Sequence, residues 1–204
     1  MITSEIIAKF ELLVDDSSEL STFEELALAN KVYQKVCDDR PWEFLKKEKT
    51  GTINGTSILL PDDFSHVLNN YQATGNNDSI DTNQRPAVVF VANNPYLIVN
   101  WSDRKKQYNQ NFCYIDMALN QIVFNTSVSG TYSFDYKYVP EDLTLTTSPV
   151  FPARFHDIIA HGMAVEDMIC QLFDKARSYA PENTATYNEI KTRMAYWNIN
   201  LNMN

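Results

Sequence analysis

The chain has 204 residues, 44% of them hydrophobic, and a net charge of -9, enough for one large or two small domains with a buried core. It contains only 5 glycines and neither a GxGxxG nor a GxxxxGK[ST] motif, and its acidic excess argues against binding nucleic acid by charge. No apolar run approaches the ~20 residues of a membrane helix, and residues 1–11 do not resemble a signal peptide. Nucleotide-binding, DNA-clamping and membrane-spanning proteins are therefore not expected.

Two helices are predicted at the N-terminus. Ile2, Ile6, Phe10 and Leu13 recur at helical spacing and predict a first helix over about residues 3–14. Ser21 and Glu24 have the spacing of a capping box at the start of a second helix. That helix should end near residues 38–40, because Pro41 disfavours helix in the residue before it.

The pattern changes to strands from Thr50 onward. Asn54-Gly55 predicts a hairpin turn between short strands at 52–53 and 57–60. Further strands are expected at 67–72, 87–91, 96–99, 112–116, 121–125 and 131–138, and residues 73–85 read as a polar loop. In the last strand Tyr132, Phe134, Tyr136 and Tyr138 alternate with polar residues, as in a half-buried strand. An antiparallel sheet, sandwich or small barrel is predicted.

The C-terminal part returns to a helical pattern after an extended linker at 139–150. One long helix is predicted from Phe155 to Ala176, its apolar stripe interrupted only by Gly162 and Glu166. Pro181 should start a last helix. Its apolar positions repeat as a heptad seam and are Tyr187, Ile190, Met194, Trp197 and Leu201.

Together these elements predict an α+β chain. Residues 1–49 and 150–204 should form one helical bundle, because neither pair of terminal helices can bury its apolar face alone. Residues 50–149 should form an inserted antiparallel β-sandwich or barrel-like module. Residues 198–204 alternate Asn with apolar side chains and are interpreted as an extended tail, either disordered or docked on a partner subunit.

The sequence contains no pattern of residues typical of catalysis or metal binding. His156 and His161 are five residues apart, which favours a surface or helix-stabilising role, with Asp157 in reach of His161. HExxH, GxSxG and CxxC are absent, and the three cysteines are far apart. The acidic pairs fall mostly at helix ends and turns, where capping explains them. We therefore expect no catalytic residue, no metal and no cofactor.

Two stretches are candidates for contact with other proteins. Arg104, Lys105 and Lys106 form the only run of three consecutive basic residues, in a polar loop that also contains Tyr108. A glycan-binding surface around Trp101, Tyr96 and Tyr108 is an alternative for this region. For docking to a partner protein, the candidate residues are Tyr187, Met194, Trp197, Asn198, Ile199, Leu201, Met203, Arg104, Lys105 and Lys106.

The order and spacing of several segments resemble the head-to-tail adaptor (connector) proteins of short-tailed bacteriophages. The N-terminal segments that carry this resemblance are LSTFEELALANKVY (20–33), RPWEF (40–44) and LPDDF (60–64). They are followed by RP (85–86) before VVF (88–90), FCYI (112–115), QIVF (121–124), YSFDYKYVPEDL (132–143) and FPARFHD (151–157).

This resemblance implies a structural virion protein without enzymatic activity. Its implied place is a dodecameric ring at the neck, below the portal, assembled in the host cytoplasm. The helical bundle would contact the portal protein and neighbouring adaptor subunits, and the strand module would face outwards or towards tail nozzle or fibre proteins. Double-stranded DNA would pass through the ring without specific binding, since a lumen lined by carboxylates repels phosphate. Another neck or tail component, such as a head-closure or nozzle protein, and a carbohydrate- or small-ligand-binding β module are the alternatives.

Overall fold

A computed structural model describes residues 1–15, 19–68, 87–105 and 111–201. For Asn200 and Leu201 it describes the backbone but not the side chains. The chain forms two compact units. The helical unit comprises residues 1–45 and 140–204, and the sheet unit comprises residues 46–139. The sheet unit thus begins at Lys46 and ends at Val139, whereas the sequence placed these limits at 50 and 149.

The described residues contain five α-helices, all in the helical unit. They are α1 (Thr3–Val14), α2 (Thr22–Asp38), α3 (Asp157–Ala164), α4 (Asp167–Leu172) and α5 (Asp174–Leu201). The predicted capping box begins α2: the Ser21 backbone N–H donates to Glu24 Oε2 at 2.8 Å, and the Glu24 N–H donates to Ser21 Oγ at 3.4 Å. The core of this unit includes Phe10, Tyr33 and Trp42, all with no exposed surface.

The prediction of one continuous helix over 155–176 is wrong. Glu166 and Phe173 both have extended backbone, and they separate α3, α4 and α5. The break places the Glu166 carboxylate 2.5 Å from Lys31 Nζ on α2, and Phe173 is buried, 6% exposed. In an uninterrupted helix, Glu166 and Phe173 would both lie on the apolar face predicted from the sequence. The two breaks instead allow α3, α4 and α5 each to bury a different face.

Pro181 does not restart a helix, as predicted, but lies inside α5. A proline there removes one backbone hydrogen bond, and the helix continues through it to Leu201. Asn198 to Leu201, expected to be extended, form the last turn of the same helix. The rest of the predicted tail, residues 202–204, lies outside the described residues.

The sheet unit is built around one long strand. Its strands are β1 (Lys46–Leu59), β2 (Phe64–Val67), β3 (Val88–Val91), β4 (Asn94–Val99), β5 (Phe112–Asp116) and β6 (Gln121–Tyr138). β6 pairs with β1, β2, β3 and β5. Because β3 also pairs with β4 and β4 with β5, the ladder closes on itself as a small barrel. The β4–β5 pair is parallel, so the expectation of a wholly antiparallel module is wrong in this one place.

The predicted hairpin at Asn54-Gly55 is also wrong. β1 runs through both residues and pairs with β6 on either side of a bulge between Gly55 and Ser57. The two flanking segments find a better partner in the long β6 than in each other. The two-residue turn occurs instead between β3 and β4, where Ala92 and Asn93 both have positive φ, 48° and 66°, the backbone of a type I′ turn.

The alternation predicted for residues 132–138 is confirmed for the aromatic side chains. Phe134 and Tyr136 are 2% and 5% exposed, and Tyr132 and Tyr138 pack partly against the same core. Lys137 departs from the polar half of the pattern because it is buried too. The predicted loop at 73–85 lies outside the described residues.

Candidate interaction surfaces

Two of the three histidines, His156 and His161, form hydrogen bonds inside the helical unit. His156 is buried, with Nδ1 2.9 Å from the Met1 carbonyl oxygen and Nε2 2.8 Å from that of Phe151. His161 Nδ1 lies 3.0 Å from Asn183 Oδ1, whereas Asp157, its suggested partner, forms an ion pair with Lys9 at 2.6 Å. In the parts of the chain that the structure describes, no cluster of three His, Cys, Asp or Glu residues could hold a metal.

The inner face of α5 carries four of the predicted docking residues. Met194 is fully buried, and Asn198 Oδ1 accepts the backbone N–H of Glu43 at 2.7 Å. The Trp197 ring stacks on Phe44, with 6.1 Å between ring centroids. Tyr187 is half-buried. These side chains pack the helical unit together, and their contact with a partner stays a prediction; Met203 and the Leu201 side chain lie outside the described residues.

An ionic cluster joins the C-terminal end of α2 to α5. Asp39 pairs with Arg40 Nε at 3.0 Å and with Lys191 Nζ. Partial burial alone would raise the pKa of Asp39, but these two cations outweigh it and hold that pKa below its usual value. The pKa of the nearby Tyr187 phenol is raised, first by burial and then by the carboxylates of Asp39 and Glu166.

The outer face of α5 has a second, exposed set of apolar residues. Ala195, Tyr196 and Ile199 border an open groove whose polar wall includes Arg40 and Lys191. We call this surface the α5 groove. Tyr196 is 66% exposed and Ile199 53% exposed. Among the predicted docking residues on α5 whose side chains the structure describes, Ile199 is thus the one that is exposed at the surface.

A second apolar surface lies at the other end of α5, where it meets α1. Lys175 Nζ donates to the Leu12 carbonyl oxygen at 2.9 Å and lies 3.8 Å from Asp15 Oδ1. Leu12 is 77% exposed, and Leu172, just before α5, is 52% exposed.

One residue of the basic cluster in the sheet unit, Arg104, already binds a neighbouring residue of its own chain. The Arg104 guanidinium lies 3.6 Å from the centroid of the Trp101 ring, and its Nη1 donates to the Trp101 carbonyl oxygen at 2.6 Å. The edge of Tyr114 packs against the same indole, 5.3 Å between centroids. Lys105 is exposed, and Lys106 and Tyr108 lie outside the described residues. One face of Trp101 is therefore covered by Arg104.

Two anchoring residues were missed in the sequence. Glu166 is 14% exposed at its side chain and pairs with Lys31 at 2.5 Å and Lys35 at 3.5 Å; a carboxylate inside an apolar stripe was the available signal. Asn30 donates from Nδ2 to the Leu143 carbonyl oxygen at 3.0 Å and accepts the Leu143 N–H at 2.6 Å. No local pattern marks that contact, since its partners are far apart in sequence.

The helical unit exposes several large apolar side chains outside its core, Tyr196 and Ile199 among them. The family model described as SU10 adaptor protein matches residues 1–198. Since the match spans nearly the whole chain, the protein belongs to the SU10 adaptor protein family, a family of bacteriophage head-to-tail adaptors. A search of curated proteins gave no match to this chain. In the described part of the chain, no helix is both long and apolar enough to cross a membrane.

Proposed function

We propose that the protein is a structural, non-enzymatic component of the virion neck that forms a ring below the portal. In that position it joins the capsid vertex to the tail and leaves a central channel for DNA. The observation that carries this proposal is the family match over residues 1–198. A match over both units makes it reasonable to carry over the adaptor role to the chain as a whole.

The surfaces of the helical unit support a role in assembly. The long helix α5 packs one face inside the unit through Met194 and Asn198 and leaves Tyr196 and Ile199 exposed on another. Large apolar side chains that are exposed together commonly mark a surface for another protein. Neighbouring adaptor subunits and the portal are the proposed partners of this unit, with tail nozzle or fibre proteins as further partners.

The charge of the chain supports a passage for DNA. At a net charge of -9, repeated copies around a channel create a strongly negative field. Such a field repels the phosphates of double-stranded DNA, so the duplex can move without adhering. The carboxylates that would line the channel are not assigned to individual residues.

The carbohydrate-binding alternative depends on Trp101 as a stacking platform. Arg104 lies 3.6 Å from the centroid of that ring, so a sugar on that face would have to displace a cation that is already stacked. We therefore do not propose this function.

The proposal is tested by removing the protein from the phage that encodes it. A stop codon in the gene should yield heads that package DNA but carry no tail and lose their DNA, because the portal opening is not closed. Supplying the wild-type protein from a plasmid should restore tailed, infectious particles. Tailed particles that keep their DNA without the protein would overturn the proposal.

A further inference from the structure

We propose that the buried His156 is a positively charged imidazolium that fastens the N-terminal end of the chain to the segment before α3, and that rising pH releases it. We call the hydrogen bonds from His156 to the carbonyl oxygens of Met1 and Phe151 the His156 bridge. This inference concerns the helical unit by itself and does not depend on the proposed adaptor function.

Both ring nitrogens of His156 face a hydrogen-bond acceptor. The residue is 3% exposed, with Nδ1 2.9 Å from the Met1 carbonyl oxygen and Nε2 2.8 Å from the Phe151 carbonyl oxygen. A carbonyl oxygen only accepts, and a neutral imidazole carries one N–H and one nitrogen lone pair. In either neutral tautomer, a lone pair would therefore face an oxygen at hydrogen-bond distance. The geometry fits a ring with an N–H at both positions, which is the cation.

The His156 bridge completes a set of contacts that hold the start of the chain. The Thr3 backbone N–H donates to the Thr147 carbonyl oxygen at 2.8 Å, and the Ser4 N–H donates to that of Leu145 at 3.1 Å. With the carbonyl of Met1 held by His156, three successive parts of the backbone before and within the first turn of α1 are anchored. Loss of the bridge should therefore loosen the first residues of the chain.

Charged side chains on α1 and α3 lie near the bridge and contact other groups. Lys9 on α1 forms an ion pair with Asp157 on α3 at 2.6 Å, and Glu5 Oε2 accepts the Ile2 N–H at 2.9 Å. Glu5 and Asp157 lie in the first turns of α1 and α3. Their carboxylates offset the positive ends of these helices, which would otherwise disfavour a cation.

The other elements packed around the bridge add few groups that titrate. Residues 143–151 contain no charged side chain. α2 contributes Tyr33, whose ring lies 6.0 Å from that of Phe151, and Arg154 stacks on the Phe155 ring at 4.8 Å. The amino group of Met1 also loses a proton as the pH rises, so its effect has to be separated from that of His156.

The bound proton sets the direction of the pH dependence. A histidine in water is mostly neutral above about pH 7, so the ring gives up this proton when the bridge breaks. The bridge is therefore complete at low pH and is lost as the pH rises. Since one proton is involved, breaking the bridge becomes about tenfold more favourable per pH unit while the closed form keeps its proton and the open form does not.

Nuclear magnetic resonance of the wild-type full chain with nitrogen-15 histidine tests the charge directly. At about pH 7.5, where a histidine in water is mostly neutral, His156 should show two ring N–H signals, both with the nitrogen shifts of an imidazolium. One signal should disappear as the pH is raised further. His66→Gln and His161→Gln assign the signals of the other two histidines. One N–H and one bare nitrogen in His156 at about pH 7.5 overturn the inference.

Urea unfolding between about pH 6 and pH 9 tests the release. Relative to His156→Gln, which keeps an amide donor but no titrating ring, the wild-type unfolding constant should rise with pH, by up to about tenfold per unit. His66→Gln, which changes an exposed histidine of the sheet unit, should follow wild type. Wild-type protein acetylated at its amino terminus should keep the effect. Equal pH dependence of wild type and His156→Gln, or an effect abolished by acetylation, overturns the release, and if His156→Gln does not fold, the wild-type resonance experiment decides.

Discussion

Gly162 lies where α3 packs against α2 and α5, and replacing it with alanine tests how closely these helices approach. A Cβ at this position would lie 2.5 Å from Val32 Cγ1 and 3.0 Å from Tyr187 Cε2. The preferred separation of two carbon atoms is about 3.5–4.0 Å. Gly162→Ala therefore forces α3 away from α2 by about 1 Å, or forces Val32 out of its rotamer.

The expected cost follows from two opposing effects. Overpacking a core costs about 1–3 kcal/mol, and alanine is favoured over glycine inside a helix by about 1 kcal/mol. Val32 is 1% exposed and branched at Cβ, so it yields little, and the cost should lie at the upper end. We expect a net loss of about 1–2 kcal/mol, or roughly 5–10 °C in melting temperature for a unit of this size.

The assay is thermal and urea unfolding followed by circular dichroism of the helices. In a Val32→Ala background the space is open, so Gly162→Ala should become neutral or stabilising, a reversal of sign that a double-mutant cycle measures. Gly55→Ala is the control, because nothing lies within 4 Å of its added Cβ. A Gly162→Ala protein as stable as wild type would refute the close approach of α3 to α2.

Three further substitutions have defined outcomes. Burial alone would raise the pKa of Glu166, but Lys31 outweighs it and the pKa is lowered. The ionised carboxylate therefore stabilises the fold above its unfolded pKa, and this stabilisation is lost as the pH falls through its folded pKa. Glu166→Gln should cost about 1 kcal/mol near neutral pH, and its difference from wild type in urea unfolding should close as the pH falls through the folded pKa of Glu166. Asn30→Ala leaves the buried peptide of Leu143 unpaired and should cost about 1–3 kcal/mol, with faster hydrogen exchange of the Leu143 amide. Tyr136→Phe removes a 3.0 Å hydrogen bond to Asp63 and should destabilise the sheet unit by about 1 kcal/mol. In the wild-type protein, burial and then the hydrogen bond to Asp63 raise the pKa of the Tyr136 phenol to about 12, and ultraviolet titration measures this pKa.

Much of the local structure could be predicted from the sequence because it depends on neighbours in the chain. The capping box of Ser21 and Glu24 joins residues three apart, and the first two helices begin and end close to their predicted limits. The alternation that buries Phe134 and Tyr136 is likewise a local pattern. Such features need no knowledge of the rest of the fold.

The errors fall where distant contacts decide. Asn54-Gly55 is a strong turn signal by itself, yet the ladder with β6 keeps β1 extended through it. The helix predicted through Glu166 breaks there, at a residue whose carboxylate pairs with Lys31 on α2. In each case, tertiary packing outweighs a local preference that was read correctly.

The candidate surface was predicted only in part for the same reason. A heptad seam identifies one face of a helix, but not whether that face packs inside its own chain or against a partner. In α5 the seam residue Met194 is fully buried, while Tyr196 and Ile199 outside the seam are exposed.

The central claim is that this protein assembles as a ring on its portal. The most direct measurement is native mass spectrometry and negative-stain imaging of the purified protein mixed with the portal protein encoded by the same phage. We predict a single complex with a closed ring of adaptor copies on the portal and an open central channel, with twelve copies expected from the family resemblance. A protein that leaves the portal bare at every concentration and mixing ratio would contradict the account.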